Sequence, residues 1–202
     1  MPRNLILRYS NPSDWVLDQF MGSGTTLVEA KLLNRNAVGV DINPKAISIS
    51  ETNLQFKCDT ESKIYTRNGN ATELHFIKDS SIDLICSHPP YANIIKYSKD
   101  IEGDISLLCV DEFLIKMRHV AEESFRVLKK GKICAIMMGD VRINRKVIPL
   151  GFRMMECFLQ VGFSIKEIII KEQHNCFSTA YWKEQKCDFL LLAHEYIFVF
   201  QK

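Results

Sequence analysis

A glycine-containing turn near the start of the chain has the groups that a charged small molecule requires. Residues 18–26 read DQFMGSGTT, and Gly22 and Gly24 allow the backbone to approach a ligand closely. The apolar spacing that follows predicts a helix, and the first amide groups of a helix can bind an anion. Asp18, at the end of the preceding apolar run, would instead attract a cation. The stretch therefore indicates a site for a ligand with both charges, with an ordinary turn as the alternative.

The kind of ligand is narrowed by what this turn lacks. It has neither the lysine of a phosphate-binding P-loop nor the third glycine of the dinucleotide fingerprint. Asp18 would repel a phosphate, whereas it would pair with an ammonium group. The methionine half of S-adenosylmethionine carries an amine and a carboxylate, so this cofactor fits the turn better than a nucleotide phosphate does.

Two more polar residues stand where later predicted strands end. Asp41 follows the glycine turn by about 20 residues, a separation at which an acidic side chain can accept hydrogen bonds from ribose hydroxyls. Asn70, in the sequence Gly69-Asn70-Ala71, could hold an adenine ring through its amide. The alternatives are a charge at a helix N-terminus for Asp41 and an ordinary Gly-Asn turn for Asn70.

Residues 87–91, with the sequence SHPPY, have a composition suited to binding a nucleobase. Pro89 and Pro90 fix the backbone and leave a carbonyl group unpaired. Tyr91 offers a flat face against which an extruded base could stack, and His88 adds a polar group beside that face. This stretch is the most specific of the four motifs.

The elements that must position these motifs follow from the spacing of apolar residues. Predicted strands cover residues 15–20, 37–42, 63–67, 82–87, 133–138, 165–170 and 189–200, and predicted helices cover 25–33, 44–56, 110–128 and 150–161. Five strands that alternate with helices predict a parallel, doubly wound sheet. The last two strands, with no long helix between them, predict an antiparallel hairpin at one edge. Ligands of such sheets bind beyond the carboxyl ends of the strands, where the motifs lie.

Two predicted loops are candidates for substrate contacts: one follows the SHPPY motif and the other follows the fifth strand. Residues 92–107 are polar, contain a glycine and form a longer connection than usual, so we expect a mobile substrate loop that is too polar to pack deeply. Arg142, Arg145 and Lys146 follow the fifth strand and are candidates for phosphate contacts, with a solvated loop as the alternative.

Composition bounds the class of protein. The 202 residues, 47% of them hydrophobic, predict a single globular domain, and the net charge of +2 does not by itself indicate a nucleic-acid partner. The seven cysteines form no CxxC pair, which is typical of reduced thiols in a cytosolic protein. A metal site at His174, Cys176 and Cys187 is rejected because the spacing matches no usual ligand pattern. No signal sequence or membrane-spanning run is found, so we expect a soluble, cytoplasmic protein without a membrane partner.

The four motifs in this order resemble those of the DNA amino-methyltransferases, enzymes that use S-adenosylmethionine to methylate the adenine N6 or the cytosine N4 position. DQFMGSGTT resembles the family's cofactor loop, GVDINP its ribose motif, GNA its adenine contact and SHPPY its catalytic motif. The resemblance implies an α/β, Rossmann-like seven-stranded methyltransferase sheet, parallel with one reversed edge strand and with helices on both faces. The implied cofactor-binding residues are Asp18, Phe20, Gly22, Gly24, Thr25, Thr26, Asp41, Ile42, Asn70 and Ala71. The implied catalytic residues are Ser87, His88, Pro89, Pro90 and Tyr91, of which the Pro89 carbonyl would accept from the target amine and Tyr91 would stack on the base.

The chain departs from the family pattern in two places. His88 stands where Asp, Asn or Ser usually precedes the two prolines, although a neutral imidazole can still accept one hydrogen bond. The chain also has no room for a separate target-recognition domain, and the helix that usually precedes the cofactor loop is missing or short. The implied partners are DNA and, within a restriction-modification system, a separate recognition subunit or a second copy of the chain. Residues outside this sequence are the alternative source of sequence recognition.

Three other functions remain as alternatives. The first is methylation of a guanine amine in RNA, because similar proline-proline-aromatic motifs occur in such enzymes. The second is a non-catalytic cofactor-binding or DNA-binding subunit, favoured by His88 and opposed by the complete glycine loop. The third is a nicotinamide-dependent oxidoreductase, opposed by the absent third glycine and by the proline pair.

Overall fold

A computed structural model describes residues 1–94, 97–173 and 188–202 of the chain. Seven strands form the main sheet: β1 (Trp15–Asp18), β2 (Asn36–Asp41), β3 (Ile64–Asn68), β4 (Ile82–Ser87), β5 (Leu128–Met138), β8 (Ser164–Glu172) and β9 (His194–Gln201). Two short strands, β6 (Val141–Ile143) and β7 (Lys146–Ile148), form a separate hairpin. The helices are α1 (Pro2–Tyr9), α2 (Thr25–Leu32), α3 (Pro44–Asn53), α4 (Val110–Val127) and α5 (Leu150–Val161).

The strand order in the main sheet is β3-β2-β1-β4-β5-β9-β8. The first five strands are parallel, and β9 is antiparallel to both β5 and β8. This confirms the predicted α/β methyltransferase sheet and its reversed last strand. The β8–β9 hairpin lies at one edge, as predicted, and the reversed strand is its inner member.

Helices cover both faces of the sheet, which explains why β1 and β4 are apolar runs rather than alternating ones. One layer of core packs around α4 and α5, with Phe113 and Met117 of α4 against Phe158 of α5, and the other packs around α1 and α2. Both α4 and α5 bury one stripe of residues, as their apolar spacing predicts. The left-handed backbone of Gly162, at φ 116°, ends α5 where the sequence predicts.

Several element boundaries differ from the predicted ones. β5 begins at Leu128, directly after α4, so Lys129 and Lys130 belong to the strand, where the Lys129 ammonium pairs with Asp83. β9 begins at His194 rather than at residue 189. A helix precedes the cofactor loop: α1 buries Leu5 and Ile6 against the α2 side of the core.

The predicted loop after the fifth strand is instead the β6–β7 hairpin. Its two central residues, Asn144 and Arg145, have φ values of 49° and 65°, the conformation of a two-residue hairpin turn. Arginine is rarely found in this region of the backbone, so the turn carries no usual sequence signal. Among the described residues, no helix is both long and apolar enough to cross a bilayer.

Candidate active site

A cavity of about 420 Å³ lies at the carboxyl ends of β1, β2, β3 and β4, where the sheet topology predicts a ligand. All the residues predicted to bind a cofactor, except Gly24, line this cavity: Asp18, Phe20, Gly22, Thr25, Thr26, Asp41, Ile42, Asn70 and Ala71. From the predicted catalytic motif, Ser87, His88 and Pro90 also line it. The four motifs, which are separated along the chain, therefore meet around one space.

Gly24 serves the packing of the loop rather than the cavity wall. It has a φ of 82°, and a Cβ atom at this position would overlap Ser50 Oγ on α3. Only glycine allows α3 to approach the loop so closely. The predicted contact of Gly24 with the cofactor stays a prediction.

Asp18 is buried at the end of β1, with its side chain turned toward the start of α2. Its Oδ1 accepts a hydrogen bond from the backbone N–H of Phe20 at 3.1 Å. Burial raises the pKa of Asp18 to about 6, although hydrogen bonds from Thr26, the Phe20 backbone and Ser87 act in the opposite direction. A buried carboxyl group of this kind favours a cationic partner, because ionisation is costly without one.

Asp41 connects the end of β2 to the glycine loop. Its Oδ2 accepts from the Gly22 backbone N–H at 2.9 Å, and its Oδ1 accepts from the Asn43 N–H at 2.9 Å. Burial raises the pKa of Asp41, against these two hydrogen bonds. Each carboxylate oxygen keeps a second lone pair, so Asp41 can hold the loop and still accept a hydrogen bond from a ligand hydroxyl.

The Gly69-Asn70-Ala71 motif contacts the loop of residues 92–107, which follows the SHPPY motif. Asn70 Oδ1 accepts from the Thr72 backbone N–H at 3.0 Å, which leaves its Nδ2 group as the donor for a ligand. Gly103 lies against this amide: a Cβ atom there would be 3.0 Å from Ile42 Cδ1 and 3.3 Å from Asn70 Nδ2. Gly103 therefore lets the loop close on one end of the cavity.

The expectation that residues 92–107 are too polar to pack deeply is wrong for the described part of this loop. Asp104, Ile105 and Ser106 are buried. The Asp104 carboxylate accepts from the Ser106 backbone N–H at 2.8 Å, and Ser106 Oγ accepts from the Tyr97 N–H at 3.1 Å. Local hydrogen bonds thus satisfy the polar side chains and allow the loop to form part of the cavity wall. Residues 95 and 96 lie outside the described residues.

The SHPPY motif is anchored to the cofactor loop by its first residue. Ser87 is buried at the end of β4, and its Oγ accepts a hydrogen bond from the Gln19 backbone N–H at 2.9 Å. Pro89 is also buried and is not at the cavity wall, whereas Pro90 and the partly exposed imidazole of His88 are. The motif therefore presents His88 and Pro90 to the same space as the glycine loop.

Tyr91 and His88 belong to a network that extends to the last strand. Tyr91 Oη donates to Glu195 Oε1 of β9, and Glu195 Oε2 accepts from Lys171 Nζ of β8 at 2.6 Å. His88 Nε2 lies 3.2 Å from Tyr91 Oη and 3.7 Å from Glu195 Oε1. Desolvation lowers the pKa of His88 despite the attraction of Glu195, and burial raises that of Tyr91. His88 is therefore neutral at pH 7, as an acceptor of a hydrogen bond must be.

The sequence motifs did not reveal Glu195 or the far wall of the cavity. Tyr97, Asp104 and Val120 line this wall, together with Pro2 of α1 and Met1, which precedes that helix. Glu195 had one usable signal, because it is the lone acidic residue in a mostly apolar strand. The rejected metal ligands His174, Cys176 and Cys187 lie outside the described residues.

The arginines of the β6–β7 hairpin are engaged within the protein. The Arg142 guanidinium donates to the Leu190 carbonyl at 3.0 Å and lies 4.1 Å from the Phe189 ring centroid. Arg145 pairs with Asp188 on the exposed surface. Lys146 is exposed. Of the three predicted phosphate contacts, Lys146 is the one without a described side-chain contact.

Comparison with known proteins adds independent findings. A protein-family model described as DNA methylase matches residues 1–52 and 82–202 of the chain. Type II methyltransferase M1.MboII of Moraxella bovis is 53% identical over 51 residues, which cover 23% of the chain and 20% of that protein. Type II methyltransferase M.BglI of Bacillus subtilis is 36% identical over 83 residues, 41% of the chain and 22% of that protein. The aligned segments thus span about a fifth of the length of these relatives.

Solved structures show the same fold. A SAM-dependent methyltransferase of Methanosarcina mazei has a TM-score of 0.65 at 17% identity, over 98% of the chain and 96% of that structure. A candidate DNA modification methylase of Thermus thermophilus has a TM-score of 0.50 at 25% identity, over 66% of the chain and 50% of that structure. The region outside the family match, residues 53–81, contains β3 and the Asn70 turn.

Proposed function

Since the chain belongs to the family of DNA methylases, we propose that it transfers a methyl group from S-adenosylmethionine to an exocyclic amine of DNA, the adenine N6 or the cytosine N4. The target base would be turned out of the double helix, because an amine inside the base stack cannot reach an enclosed site. The observation that carries the proposal is the single cavity that joins the glycine loop to the SHPPY motif.

The donor set of the cavity fits S-adenosylmethionine. The cavity volume of about 420 Å³ is within the usual range for small-molecule sites. Asp18 would pair with the amino group of the methionine half, Asp41 would accept from the ribose hydroxyls, and Asn70 would donate through Nδ2 to the adenine. Gly22 and Thr25 would line the methionine half, and the adenine would lie beside Ile42 at the end of the cavity that Gly103 closes. When bound, the cofactor supplies a sulfonium methyl group, which is already a strong electrophile.

The protein's contribution to the reaction is positioning and polarisation. The target amine would donate one hydrogen bond to His88, which lines the cavity, and a second to the Pro89 carbonyl, which would have to turn toward the cavity from its buried position. These two hydrogen bonds would make the nitrogen lone pair available for the reaction. Methyl transfer would form a nitrogen–carbon bond and leave the electron pair of the broken carbon–sulfur bond on sulfur, and the methylated amine would release one proton to water. Tyr91 would stack on the base. No cysteine nucleophile is required, in agreement with the burial of Cys86 and Cys134.

Residues 1–202 would act as one catalytic domain, with sequence recognition by a separate subunit or a second copy of the chain. The shared main sheet supports the first part of this proposal. The second part is supported by Arg142 and Arg145 of the β6–β7 hairpin, which are engaged within the protein.

The decisive experiment is incubation with labelled S-adenosylmethionine and separate DNA and RNA substrates, followed by identification of the modified base. N6-methyladenine or N4-methylcytosine in DNA is the expected product. N2-methylguanine in RNA would replace the proposal with the RNA alternative. Absence of methylation on any substrate, with a candidate recognition subunit also supplied, would favour a non-catalytic subunit.

Calorimetric titration distinguishes the remaining alternative. We expect S-adenosylhomocysteine to bind and NAD not to bind, because the glycine loop lacks the third glycine of the dinucleotide fingerprint. Binding of NAD alone would identify an oxidoreductase instead.

A further inference from the structure

Glu195 is a buried acid that faces the catalytic motif from the last strand. It is 6% exposed, and it lies directly opposite Lys171 in the β8–β9 register. The ammonium group of Lys171 donates to its Oε2 at 2.6 Å, and Tyr91 Oη donates to its Oε1. Burial raises the pKa of Glu195, but the hydrogen bonds from Lys171 and Tyr91 outweigh it and the net shift is downward. Glu195 is therefore a carboxylate that can only accept hydrogen bonds.

The protons of this network can be assigned from the chemistry of its members. A tyrosine hydroxyl has a single proton, and Tyr91 donates it in the hydrogen bond to the ionised Glu195. The phenol oxygen of Tyr91 can therefore only accept from its other neighbours, which are His88 Nε2 at 3.2 Å and the backbone N–H of Gly139. A contact of His88 Nε2 with this oxygen is a hydrogen bond only when Nε2 carries the proton.

The charged and titratable groups that face His88 are compatible with a neutral ring. Desolvation lowers its pKa, Glu195 raises it and Lys171 lowers it. In a neutral imidazole with a proton on Nε2, Nδ1 has the free lone pair. The space for this arrangement comes from Gly139, at which a Cβ atom would lie 3.2 Å from Tyr91 Cε1 and 3.4 Å from Glu195 Cγ.

We propose that Glu195 is a positioning residue that acts through Tyr91 to hold His88 as the Nε2–H tautomer, so that Nδ1 is the atom that accepts from the target. Its consequence for catalysis rests on the proposed amine methylation, whereas the tautomer itself is a property of the protein without substrate. The same contact holds the Tyr91 ring in place for stacking. The last strand thereby takes part in the site without contributing a side chain to the cavity wall.

The substitution Glu195→Gln tests this assignment because it keeps the shape of the side chain. Lys171 can only donate, so the amide introduced by this substitution would turn its oxygen to Lys171 and its NH₂ group to Tyr91. The Tyr91 hydroxyl would then donate to His88 Nε2, and the proton of the imidazole would move to Nδ1. The hydrogen bonds that join Tyr91 to its two side-chain neighbours would reverse direction with no change in the packing volume.

The measurement is a long-range ¹H–¹⁵N correlation spectrum of ¹⁵N-histidine-labelled protein at pH 7.5, with His88 assigned from its loss in His88→Asn. We expect the Nε2–H tautomer in the wild type and the Nδ1–H tautomer in Glu195→Gln. With DNA as substrate, kcat should fall roughly 10- to 100-fold, the loss expected when the donor of the target amine is left without its acceptor, while the affinity for S-adenosylhomocysteine stays within about twofold. The matched control is Glu156→Gln on the exposed side of α5, which should leave the tautomer and kcat unchanged.

The outcomes separate this proposal from the proposed function. An Nδ1–H tautomer in the wild type, or an unchanged tautomer in Glu195→Gln, would overturn the role of Glu195 whatever the activity. A reversed tautomer with unchanged kcat would overturn its catalytic consequence. A reversed tautomer in a protein that methylates no nucleic acid would leave the tautomer assignment standing and remove the proposed function.

Discussion

His88 is the residue at which the catalytic motif departs from the usual acid, amide or hydroxyl. Because the pKa of His88 is lowered, the ring is neutral at pH 7 and gains a proton only as the pH falls below its ordinary value of about 6.5. Protonation removes the acceptor lone pair, so we expect kcat to be constant from pH 8 to about 6.5 and to decrease at lower pH. A pH–rate profile with saturating cofactor tests this. A decrease that begins above pH 7 would contradict a neutral His88.

Substitution of the same side chain gives a second test. His88→Asn keeps an acceptor and should retain part of the activity, whereas His88→Leu should abolish turnover and leave the affinity for S-adenosylhomocysteine near that of the wild type. Normal turnover by His88→Leu would mean that the Pro89 carbonyl is sufficient. Equal loss of turnover and cofactor affinity would indicate a structural role.

We expect Asp18 to couple cofactor binding to stability. Its folded-state pKa of about 6 lies above the ordinary value of 3.8, so the protonated form is favoured on folding, and this contribution to stability is lost as the pH rises through 6. The cost of ionisation at pH 7.5 is on the order of 3 kcal/mol, which the ammonium group of the cofactor would offset. We expect Asp18→Asn to raise the melting temperature of the free protein at pH 7.5 and to weaken binding of S-adenosylhomocysteine. A lower melting temperature would show that the hydrogen bonds of Asp18 outweigh its burial.

Asp41 is expected to contribute to both the ribose site and the glycine loop. Asp41→Ala should weaken S-adenosylhomocysteine binding by roughly 1 to 3 kcal/mol, because it leaves ribose hydroxyls and the Gly22 N–H without an acceptor. Asp41→Asn, which keeps one acceptor oxygen, should lose less. Calorimetric titration of the two variants measures this difference, and an unchanged affinity in Asp41→Ala would remove Asp41 from the site.

At the scale of elements, the contact of the glycine loop with α3 determines the shape of the cavity. Gly24→Ala should destabilise the protein by roughly 1 to 3 kcal/mol, because the new methyl group overlaps Ser50 and the backbone is left-handed. Ser50→Gly should recover part of this loss in the double variant. Gly22→Ala is the matched control, since its φ is also positive but no atom lies within 4 Å of the added methyl group. Equal destabilisation by the two single variants in chemical denaturation would show that backbone strain alone is responsible.

The elements and the local motifs were largely predictable from the sequence, for a physical reason. The spacing of apolar residues along the chain indicates buried strands and amphipathic helices. For this reason β4 and α5 were predicted with their observed bounds. The glycine loop and the SHPPY motif carry backbone requirements that only a few residue types meet. These features depend on residues that are close together in the chain.

The contacts between distant elements were not predictable in this way. Glu195 meets Tyr91 across 104 positions of sequence, and its neighbour Lys171 reaches it only through the β8–β9 pairing. The burial of Asp104 depends on hydrogen bonds within a loop whose composition indicates exposure. The β6–β7 turn uses an arginine where the common signal is glycine. Contacts between residues that are far apart in the chain produce no regular spacing of residue types, so the sequence pattern does not reveal them.

At the scale of the whole molecule, charge limits how the described residues can recognise DNA. The net charge is +2, and Arg142 and Arg145 of the β6–β7 hairpin already contact Leu190 and Asp188. Each phosphate that a cation neutralises contributes roughly −0.9 to the slope of log K against log salt concentration. Among the described residues of the β6–β7 hairpin, few cations are free to contact a phosphate. We therefore expect a small slope of log K against log salt concentration.

We accordingly expect the chain alone to bind double-stranded DNA with a Kd of roughly 10⁻⁴ to 10⁻⁶ M, the range of non-specific binding, with little dependence on sequence. Lys146→Ala should reduce the salt slope by about one unit if this lysine contacts a phosphate, and Lys116→Ala on α4 provides a control away from the hairpin. Fluorescence anisotropy with a panel of duplexes at several salt concentrations measures both quantities. Tight, sequence-specific binding by the chain alone would place target recognition within residues 1–202 and contradict the proposed recognition subunit, because no further DNA-reading surface would then be needed.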